Sequence, residues 1–457
     1  MSASKDWSRR HFLQSAAATA AGLANRNAAL GLLAGAQAAA TQAATEDYRA
    51  LVCIFLAGGN DGFNVLIPSD TTRYQTYKTA RGNLAFSTDQ LLALNASTSK
   101  TYAVSTSAPG FQALYNKGQL AFLANVGTLL EPTSKKAYLA GTNLPPQLYS
   151  HSDQSDQGMA NELDALQKLG WGGRIADLLS PLNGTSTLPL GVSIGGNNLF
   201  QIGSTAVPYY MGTSGVSNFY VTSNGNTDPR TRAFNKMLAA SVANGGLLEQ
   251  EFGQSVQKTL GLSQTLIAAL AKSSVGSGIW PGSYLAQQLQ MVARMISVRN
   301  TFGVKRQVFY VVQGGYDTHD DQPNRHNALI NDLSAAVAAF HSTMDEFGIG
   351  NGVTSFTLSD FGRTLTSNGD GSDHAWGNVQ MVAGGSVLGG NVYGTFPNQT
   401  IDGPDDASYG RLIPTTSIDQ YGATLARWFG ANDTDLATIF PHLSRFNSAD
   451  VGFMSLA

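Results

Sequence analysis

The segment GGYDTHDDQ, residues 314–322, concentrates three aspartates and one histidine directly after the apolar run VFYVV. This cluster is unusual because only 13% of the residues in the chain are charged. Asp317 and His319 offer a carboxylate and an imidazole, which together suit Zn²⁺, Mn²⁺ or a similar ion better than Mg²⁺ or Ca²⁺. The segment therefore predicts a divalent cation site. Helix capping by Asp317 remains the alternative, and Asp320 and Asp321 fit a helix start or a solvated charge cluster better than a ligand set.

Polar side chains also follow other apolar runs of the sequence. Asp61 comes after LVCIFLAGG, Asp360 comes after VTSFTLS, and Asp373 and His374 open the motif DHAWGN. Because the carboxyl ends of parallel strands meet at one edge of a sheet, we expect these groups to converge. Carboxylates packed together without a cation repel one another, and a metal ion relieves that repulsion. The predicted metal ligands are Asp61, Asp317, His319, Asp360, Asp373 and His374.

The motif YSHSDQSDQ, residues 149–157, supplies candidate catalytic groups. A serine hydroxyl bound to a dication loses its proton more readily and can attack phosphorus or sulfur. Ser150, with His151 beside it, is the preferred candidate, while Ser152, Thr133 and Ser134 remain alternatives. A helix cap without chemistry explains the motif equally well. Arg363 could bind a substrate oxyanion through two hydrogen bonds, or it could pair with Asp360.

Short apolar runs bounded by glycine or aspartate alternate with helical patterns along the chain. The runs are predicted to be buried parallel strands, and they occur at 51–59, 120–127, 308–315, 353–362 and 379–385. The clearest helical pattern is 325–348, where apolar residues recur at spacings of three and four. This alternation predicts a mostly parallel sheet with helices on both faces, spanning 46–457. A Gly/Ser/Asn-rich region at about 190–280 is expected to form a cap insertion over the sheet.

The first forty residues have the order of a bacterial twin-arginine (Tat) export signal, with an amphipathic helix as the alternative. Arg9 and Arg10 precede an apolar Ala/Leu/Gly stretch, and Ala36-Gln37-Ala38 offers a cleavage site. Arg26 interrupts the stretch, which argues against a transmembrane span in the mature chain. We therefore expect the Tat export machinery as a partner and a periplasmic or extracellular location. The formal charge of −3 argues against nucleic acid, and the single Cys53 excludes an intrachain disulfide.

The chain resembles the bacterial DUF1501 family, which belongs with the alkaline phosphatase and sulfatase superfamily. The similarity rests on the twin-arginine start and on motifs such as FLAGGNDGFNVLIP, YSHSDQSDQ, GGYDTHDDQ, SDFGRT and SDHAWGN. It implies a three-layer α/β/α sandwich with metals at the strand ends, Asp61 and Asp317 among the ligands, and Ser150 as nucleophile. Where the superfamily has histidine after a strand-end aspartate, this chain has Phe361 after Asp360. The resemblance then points to His374 as the source of the missing imidazole.

Two functions follow as expectations. The first is an exported metal-dependent hydrolase of phosphate or sulfate esters, acting on a small anionic ester or a carbohydrate-linked substrate. The second is a noncatalytic envelope or secretion-linked binding protein that keeps the sheet and one structural cation, a reading favoured by Phe361. A phosphomutase-like transfer activity is a third class that the motifs leave open.

Overall fold

The computed structural model describes residues 47–95, 101–161, 168–217, 219 and 227–456. The predicted export signal at 1–40 lies outside these ranges. Within them, every helix is too short or too polar to cross a membrane.

Fourteen strands occur in the described chain. They are β1 (Arg49–Ala57), β2 (Ile67–Pro68), β3 (Leu91–Ala93), β4 (Tyr102–Ser105), β5 (Leu120–Gly127), β6 (Gly191–Ser193), β7 (Tyr209–Tyr210), β8 (Arg306–Gly314), β9 (Val353–Ser359), β10 (Arg363–Ser367), β11 (Ser372–His374), β12 (Asn378–Gly384), β13 (Val392–Tyr393) and β14 (Thr416–Ser417).

Twelve α-helices accompany these strands in the same ranges. They are α1 (Thr71–Arg81), α2 (Pro109–Asn116), α3 (Lys135–Leu139), α4 (His151–Ala160), α5 (Trp171–Leu179), α6 (Pro229–Asn244), α7 (Leu247–Leu270), α8 (Tyr284–Ser297), α9 (Arg299–Phe302), α10 (Gln322–Glu346), α11 (Ile418–Phe429) and α12 (Asp433–Ile439).

The central sheet has nine strands in the order β13-β5-β12-β9-β1-β8-β6-β7, with β14 also paired to β5. Strand β1 is parallel to both β8 and β9. Strand β12 is antiparallel to both of its neighbours, β5 and β9. The predicted mostly parallel sheet is therefore confirmed, but the run at 379–385 differs from the expected direction. That reversal places the beginning of β12 at the carboxyl edge of the other strands.

Helices cover both faces of the sheet, which gives the predicted three layers. Val52 and Ile54 of β1 belong to one hydrophobic core, together with residues of α8 and α10. The alternate residues Leu51 and Cys53 belong to a second core with residues of α5 and α11. A strand buried on both faces reads as a continuous apolar run, which is why LVCIFLA shows no alternation. Cys53 is a buried free thiol in this packing.

The region expected to form a cap contains two different structures. Strands β6 and β7 continue the central sheet at its edge, because β6 pairs in parallel with β8 and β7 pairs in parallel with β6. Helices α6 and α7 form a hairpin that encloses an apolar cavity of about 1180 Å³. None of the candidate metal ligands lines this cavity, so its size does not make it the site of the predicted chemistry.

Candidate metal centre

Several predicted ligands and His151, which was predicted as a catalytic group, reach one edge of the sheet from four different elements. Strand β8 ends at Gly314 and leads into Asp317 and His319, and β9 ends at Ser359 and leads into Asp360. His374 ends β11, just before the reversed strand β12 begins. His151 is the first residue of α4. Because β12 runs against its neighbours, the residues that precede it lie at the same edge as the residues that follow β8 and β9.

Three of these residues form a compact triad. The ligating atoms of His151, Asp317 and His374 all lie within 4.8 Å of one another. His151 Nε2 is 3.5 Å from Asp317 Oδ2, and His374 Nε2 is 3.3 Å from Asp317 Oδ1. His319 adjoins the triad, because its Nε2 lies 3.0 Å from Asp317 Oδ1.

Each of the three imidazoles is held at Nδ1 by an oxygen acceptor. His151 Nδ1 lies 2.6 Å from Asp360 Oδ2, and His319 Nδ1 lies 3.2 Å from Asp373 Oδ1. His374 Nδ1 lies 2.9 Å from the carbonyl oxygen of Tyr149, which can only accept. A neutral imidazole that donates at Nδ1 carries its lone pair at Nε2. This pairing with outer oxygens is the usual support of metal-ligating histidines.

The Nε2 atoms turn towards the same space. His319 Nε2 lies 2.9 Å from His374 Nε2, and His151 Nε2 is buried without a hydrogen-bond partner among the described residues. Two nitrogen lone pairs facing each other at this distance repel unless a proton or a cation lies between them. The donor set therefore fits a divalent cation, because a metal would satisfy the nitrogens and Asp317 together.

The separations between donors also fit a metal of the size of zinc. Zinc–nitrogen and zinc–oxygen bonds are about 2.0–2.2 Å long, which places tetrahedral ligands about 3.3 Å apart. The separations of 3.0, 3.3 and 3.5 Å between the imidazoles and Asp317 lie around that value. These three pairs are therefore spaced like ligands of one ion.

The charges of the site favour the protonation states that bind metal. Burial acts to raise the pKa of Asp317, but the hydrogen bond and charge of Arg363 outweigh it, so the pKa lies below its ordinary value. Burial lowers the pKa of His374 below its ordinary value and outweighs the hydrogen bond to the Tyr149 carbonyl, which raises it. Asp317 is therefore ionised and His374 neutral near pH 7, as metal coordination requires.

Arg363 supports the site from inside the protein. Its side chain is fully buried, and its NH1 donates to Asp317 Oδ1 at 2.9 Å. The guanidinium also donates to the side chain and the backbone carbonyl of Ser372. The expected direct contact between Arg363 and a substrate oxyanion does not match this position, because the group has no exposed face. Its pairing partner is Asp317 rather than Asp360.

Asp61 occupies a second, deeper layer. Its carboxylate forms a fully buried ion pair with Arg81 and accepts a hydrogen bond from Gln322. Gln322 in turn accepts from the hydroxyl of Ser372, which contacts Arg363. The structure thus connects Asp61 to Asp317 through hydrogen bonds but does not bring it into the triad. Its predicted role as a direct ligand conflicts with the charge it already shares with Arg81.

Asp360 and Phe361 shape the wall beside His151. Asp360 accepts from His151 Nδ1 with one oxygen and from the backbone N–H of Gly58 with the other. Both oxygens are therefore engaged, which suits an orienting role better than the predicted role as a ligand. The Phe361 ring lies 4.7 Å from the rings of both His151 and His374, and it packs against both imidazoles.

The serine candidates occupy helix starts. Ser150 precedes α4, and its hydroxyl donates to Asp153 Oδ2 at 2.6 Å. Ser152 lies nearby and is exposed. Ser134 caps α3 by accepting from Ala137 N, and Thr133 donates to the Glu131 carbonyl. Of these, Ser150 and Ser152 flank His151 of the triad in sequence, and Ser150 makes the shorter contact with Asp153 Oδ2, at 2.6 Å against 3.3 Å.

The remaining polar residues singled out in the sequence lie outside the triad. Asp320 pairs with Arg325 on the surface, and Asp321 is the residue before α10. His326 and His341 are both buried, and they contact the side chains of Asn60 and Ser355, respectively. The acidic run DD in the opening motif therefore starts a helix rather than extending the ligand set.

The carbonyl of Tyr149 was not identifiable from the sequence. Tyr149 has a left-handed backbone with φ of 72°, which is costly for a bulky residue. This conformation accompanies the placement of its carbonyl against His374 Nδ1. Every residue has a backbone carbonyl, so the sequence does not indicate which one accepts this hydrogen bond. Only the conformation of the loop shows it.

The fold and the site define an α/β/α protein with a candidate metal centre at the carboxyl edge of its sheet. Residues 48–409 match the model of the family described as "Protein of unknown function (DUF1501)". The chain therefore belongs to the DUF1501 family. No curated protein matches it.

The chain is also similar to several solved structures. For the PsFucS1 sulfatase from Pseudoalteromonas sp. the identity is 11%, with 87% of this chain and 70% of that chain covered at a TM-score of 0.35. For wild type alkaline phosphatase PafA the sequence identity is 16%. The similarity covers 69% of this chain and 63% of that chain, with a TM-score of 0.27. For the phosphonate monoester hydrolase of Agrobacterium radiobacter the sequence identity is 9%. The similarity covers 84% of this chain and 74% of that chain, with a TM-score of 0.29.

Proposed function

We propose that this protein is an exported, metal-dependent hydrolase of phosphate or sulfate esters. The observation that carries the proposal is the convergence of three imidazole Nε2 atoms on Asp317, each imidazole being held at Nδ1 by an outer oxygen. His151, Asp317 and His374 would hold the cation, with His319 completing the set. A donor set rich in imidazole favours Zn²⁺ or Mn²⁺ over Mg²⁺ or Ca²⁺.

A divalent cation bound here supplies Lewis-acid chemistry, which activates a hydroxyl group and stabilises developing negative charge. The chain would contribute orientation. Asp360, Asp373 and the Tyr149 carbonyl fix the three imidazoles, while Arg363 fixes the carboxylate of Asp317. Ser150 is the proposed nucleophile, and Asp153, 2.6 Å from its hydroxyl, is placed to accept the serine proton.

Export by the Tat pathway and a periplasmic or extracellular location are part of the same proposal. They rest on the twin-arginine segment at the start of the sequence. A small anionic ester, free or linked to a carbohydrate, is the proposed substrate class. Fusing residues 1–40 to a reporter protein and replacing Arg9 and Arg10 with lysine would test the export step, because a Tat signal requires the arginine pair.

A noncatalytic binding protein is the second candidate function. Phe361 favours it, because its apolar ring packs against both His151 and His374, 4.7 Å from each, and supplies no ligand to a cation. In that case the cation would stabilise the fold, and Ser150 would serve only to start α4.

The deciding experiment combines metal analysis of the purified chain with turnover of an aryl phosphate and an aryl sulfate. The hydrolase proposal expects stoichiometric Zn or Mn and activity that is lost in Ser150→Ala but kept in the control Ser204→Ala, which replaces an exposed serine before β7. Bound metal without turnover of either ester would support the binding protein instead. Absence of bound metal after incubation with Zn²⁺ and Mn²⁺ would exclude the hydrolase.

A further inference from the structure

Arg411 lies beside the candidate metal centre, in the segment RLIPTTSIDQYG, which contains none of the predicted site residues. Its Nε donates to the carbonyl oxygen of His374 at 3.0 Å. Its guanidinium carbon lies 4.5 Å from the centre of the Tyr149 ring and 5.9 Å from that of Tyr409. The Arg411 guanidinium therefore contacts the same two residues, His374 and Tyr149, that form one corner of the site.

The charge of Arg411 has no carboxylate partner. No Asp or Glu oxygen in the described ranges lies within 4.0 Å of its nitrogens, and Nε is the one nitrogen with a protein acceptor there. Arg363 differs in both respects, because it is buried and pairs with Asp317. Arg411 is thus the arginine of the site that keeps hydrogen-bond donors available for a ligand.

The two tyrosines hold the guanidinium plane without neutralising it. Contact with aromatic faces restricts an arginine side chain and leaves its edge donors open. Tyr409 is 71% exposed and has a left-handed backbone with φ of 55°, so this side of the arginine faces solvent. An arginine positioned in advance in this way loses less conformational freedom when an anion binds.

We propose that Arg411, held between Tyr149 and Tyr409, binds the anionic group of the substrate, a phosphate or sulfate, next to the metal centre. This inference rests on the proposed hydrolase function, and it moves the anion-binding role from Arg363 to Arg411. The planar guanidinium suits tetrahedral oxyanions because it can donate two parallel hydrogen bonds. Tyr149 has a double role, since its carbonyl orients His374 while its ring positions the arginine.

Calorimetric titration with orthophosphate and with sulfate tests the proposal on the full chain, loaded with Zn²⁺ and free of metal. We expect Arg411→Gln to weaken anion binding at least tenfold, and Arg411→Lys to retain part of the affinity because the charge remains. Arg445→Gln is the control, since Arg445 is exposed and donates to the Leu130 carbonyl. Metal content, measured in parallel, should stay unchanged in all three variants.

The two proposals fail in different ways. Equal anion affinity in wild type and Arg411→Gln would overturn the role of Arg411, whether or not the protein holds metal. Wild-type protein that binds neither orthophosphate nor sulfate would overturn it as well. If Arg411→Gln lost metal along with anion affinity and Arg411→Lys restored metal alone, Arg411 would be a structural support of His374. If the protein failed to load metal but its anion affinity still depended on Arg411, the hydrolase proposal would be rejected. The proposal that Arg411 binds an anion would stand.

Discussion

His319 Nε2 lies 2.9 Å from His374 Nε2, while the Nδ1 atom of each ring faces an oxygen acceptor. Two neutral imidazoles in this arrangement direct lone pairs at each other, and Asp317 adds negative charge beside them. Such an arrangement is costly in the absence of a cation and favourable around one. This pair therefore links the geometry of the site directly to metal binding.

Added metal should stabilise the fold by mass action. At a free Zn²⁺ concentration of 100 times Kd, the gain is about 2.7 kcal/mol if the unfolded chain does not bind zinc. Differential scanning fluorimetry should show a rise in Tm for the wild type and none for Asp317→Asn, which lacks the central charge. The exposed Asp433→Asn is the control and should respond like the wild type. An equal rise in the Tm of Asp317→Asn would show that zinc binds at another site.

Replacing Asp360 with asparagine should weaken metal binding without unfolding the protein. Asp360 accepts at both oxygens, from Gly58 N and from His151 Nδ1, and an amide can accept at only one of them. His151 would then favour the tautomer with its proton at Nε2, which cannot ligate. Loss of such outer partners costs about 10–100-fold in affinity.

Competition with a fluorescent zinc chelator measures the affinity of this variant. Asp370→Asn serves as its control, because Asp370 binds the backbone of Asp321 outside the triad. Unchanged affinity in Asp360→Asn would show that the tautomer of His151 is fixed by something else.

A methyl group at Gly58 should disrupt the site, whereas one at Gly118 should not. A Cβ at Gly58 would lie 2.4 Å from Asp317 N, and φ there is +118°. Gly118 has φ of +77° with nothing within 4 Å of the added atom. We expect Gly118→Ala to cost about 1 kcal/mol of unfolding free energy from backbone strain alone. Gly58→Ala should cost more and also lower zinc affinity, as chemical denaturation and chelator competition would reveal. Similar zinc affinity in the two variants would contradict this placement of Asp317.

The contribution of His341 to stability should fall as the pH drops from about 6.5 towards 4, while the buried Asp419, whose pKa burial raises to about 7, contributes with the opposite sign. Burial lowers the pKa of His341 from 6.5 to about 4, so in this range the unfolded chain binds a proton that the native chain does not. The stability contributed by neutral His341 is thus present above the unfolded pKa and lost as pH falls. The loss amounts to at most about 3.5 kcal/mol, at ~1.4 kcal/mol per pKa unit.

The variant His341→Gln isolates this contribution. Its glutamine keeps a polar partner for Ser355, 2.7 Å from Nε2 in the wild type, but does not titrate. Urea unfolding at a series of pH values should give a flatter profile for the variant, with a residual slope from His326, whose pKa burial also lowers to about 4. Parallel profiles for the two proteins would contradict the prediction.

Much of the fold could be predicted because its signals are local. Apolar runs such as LVCIFLA predict strands buried on both faces, and the stripe that includes Leu333 and Phe340 predicts α10. The residue types of the site were also visible, since His151, Asp317 and His374 each occur in a dense polar motif. Hydrophobic periodicity and the polar residues that end an element depend on neighbours in the chain, so the sequence alone determines them.

The tertiary structure decided the direction of β12 and the partner of each polar group. Nothing within 379–385 distinguishes a parallel from an antiparallel strand, yet its reversal brings His374 to the edge where Asp317 lies. Asp61 and Arg363 have the residue types of a ligand and an anion binder, but they pair with Arg81 and Asp317 instead. These choices depend on contacts between residues far apart in the chain, where burial and charge compensation rather than local pattern select the partner.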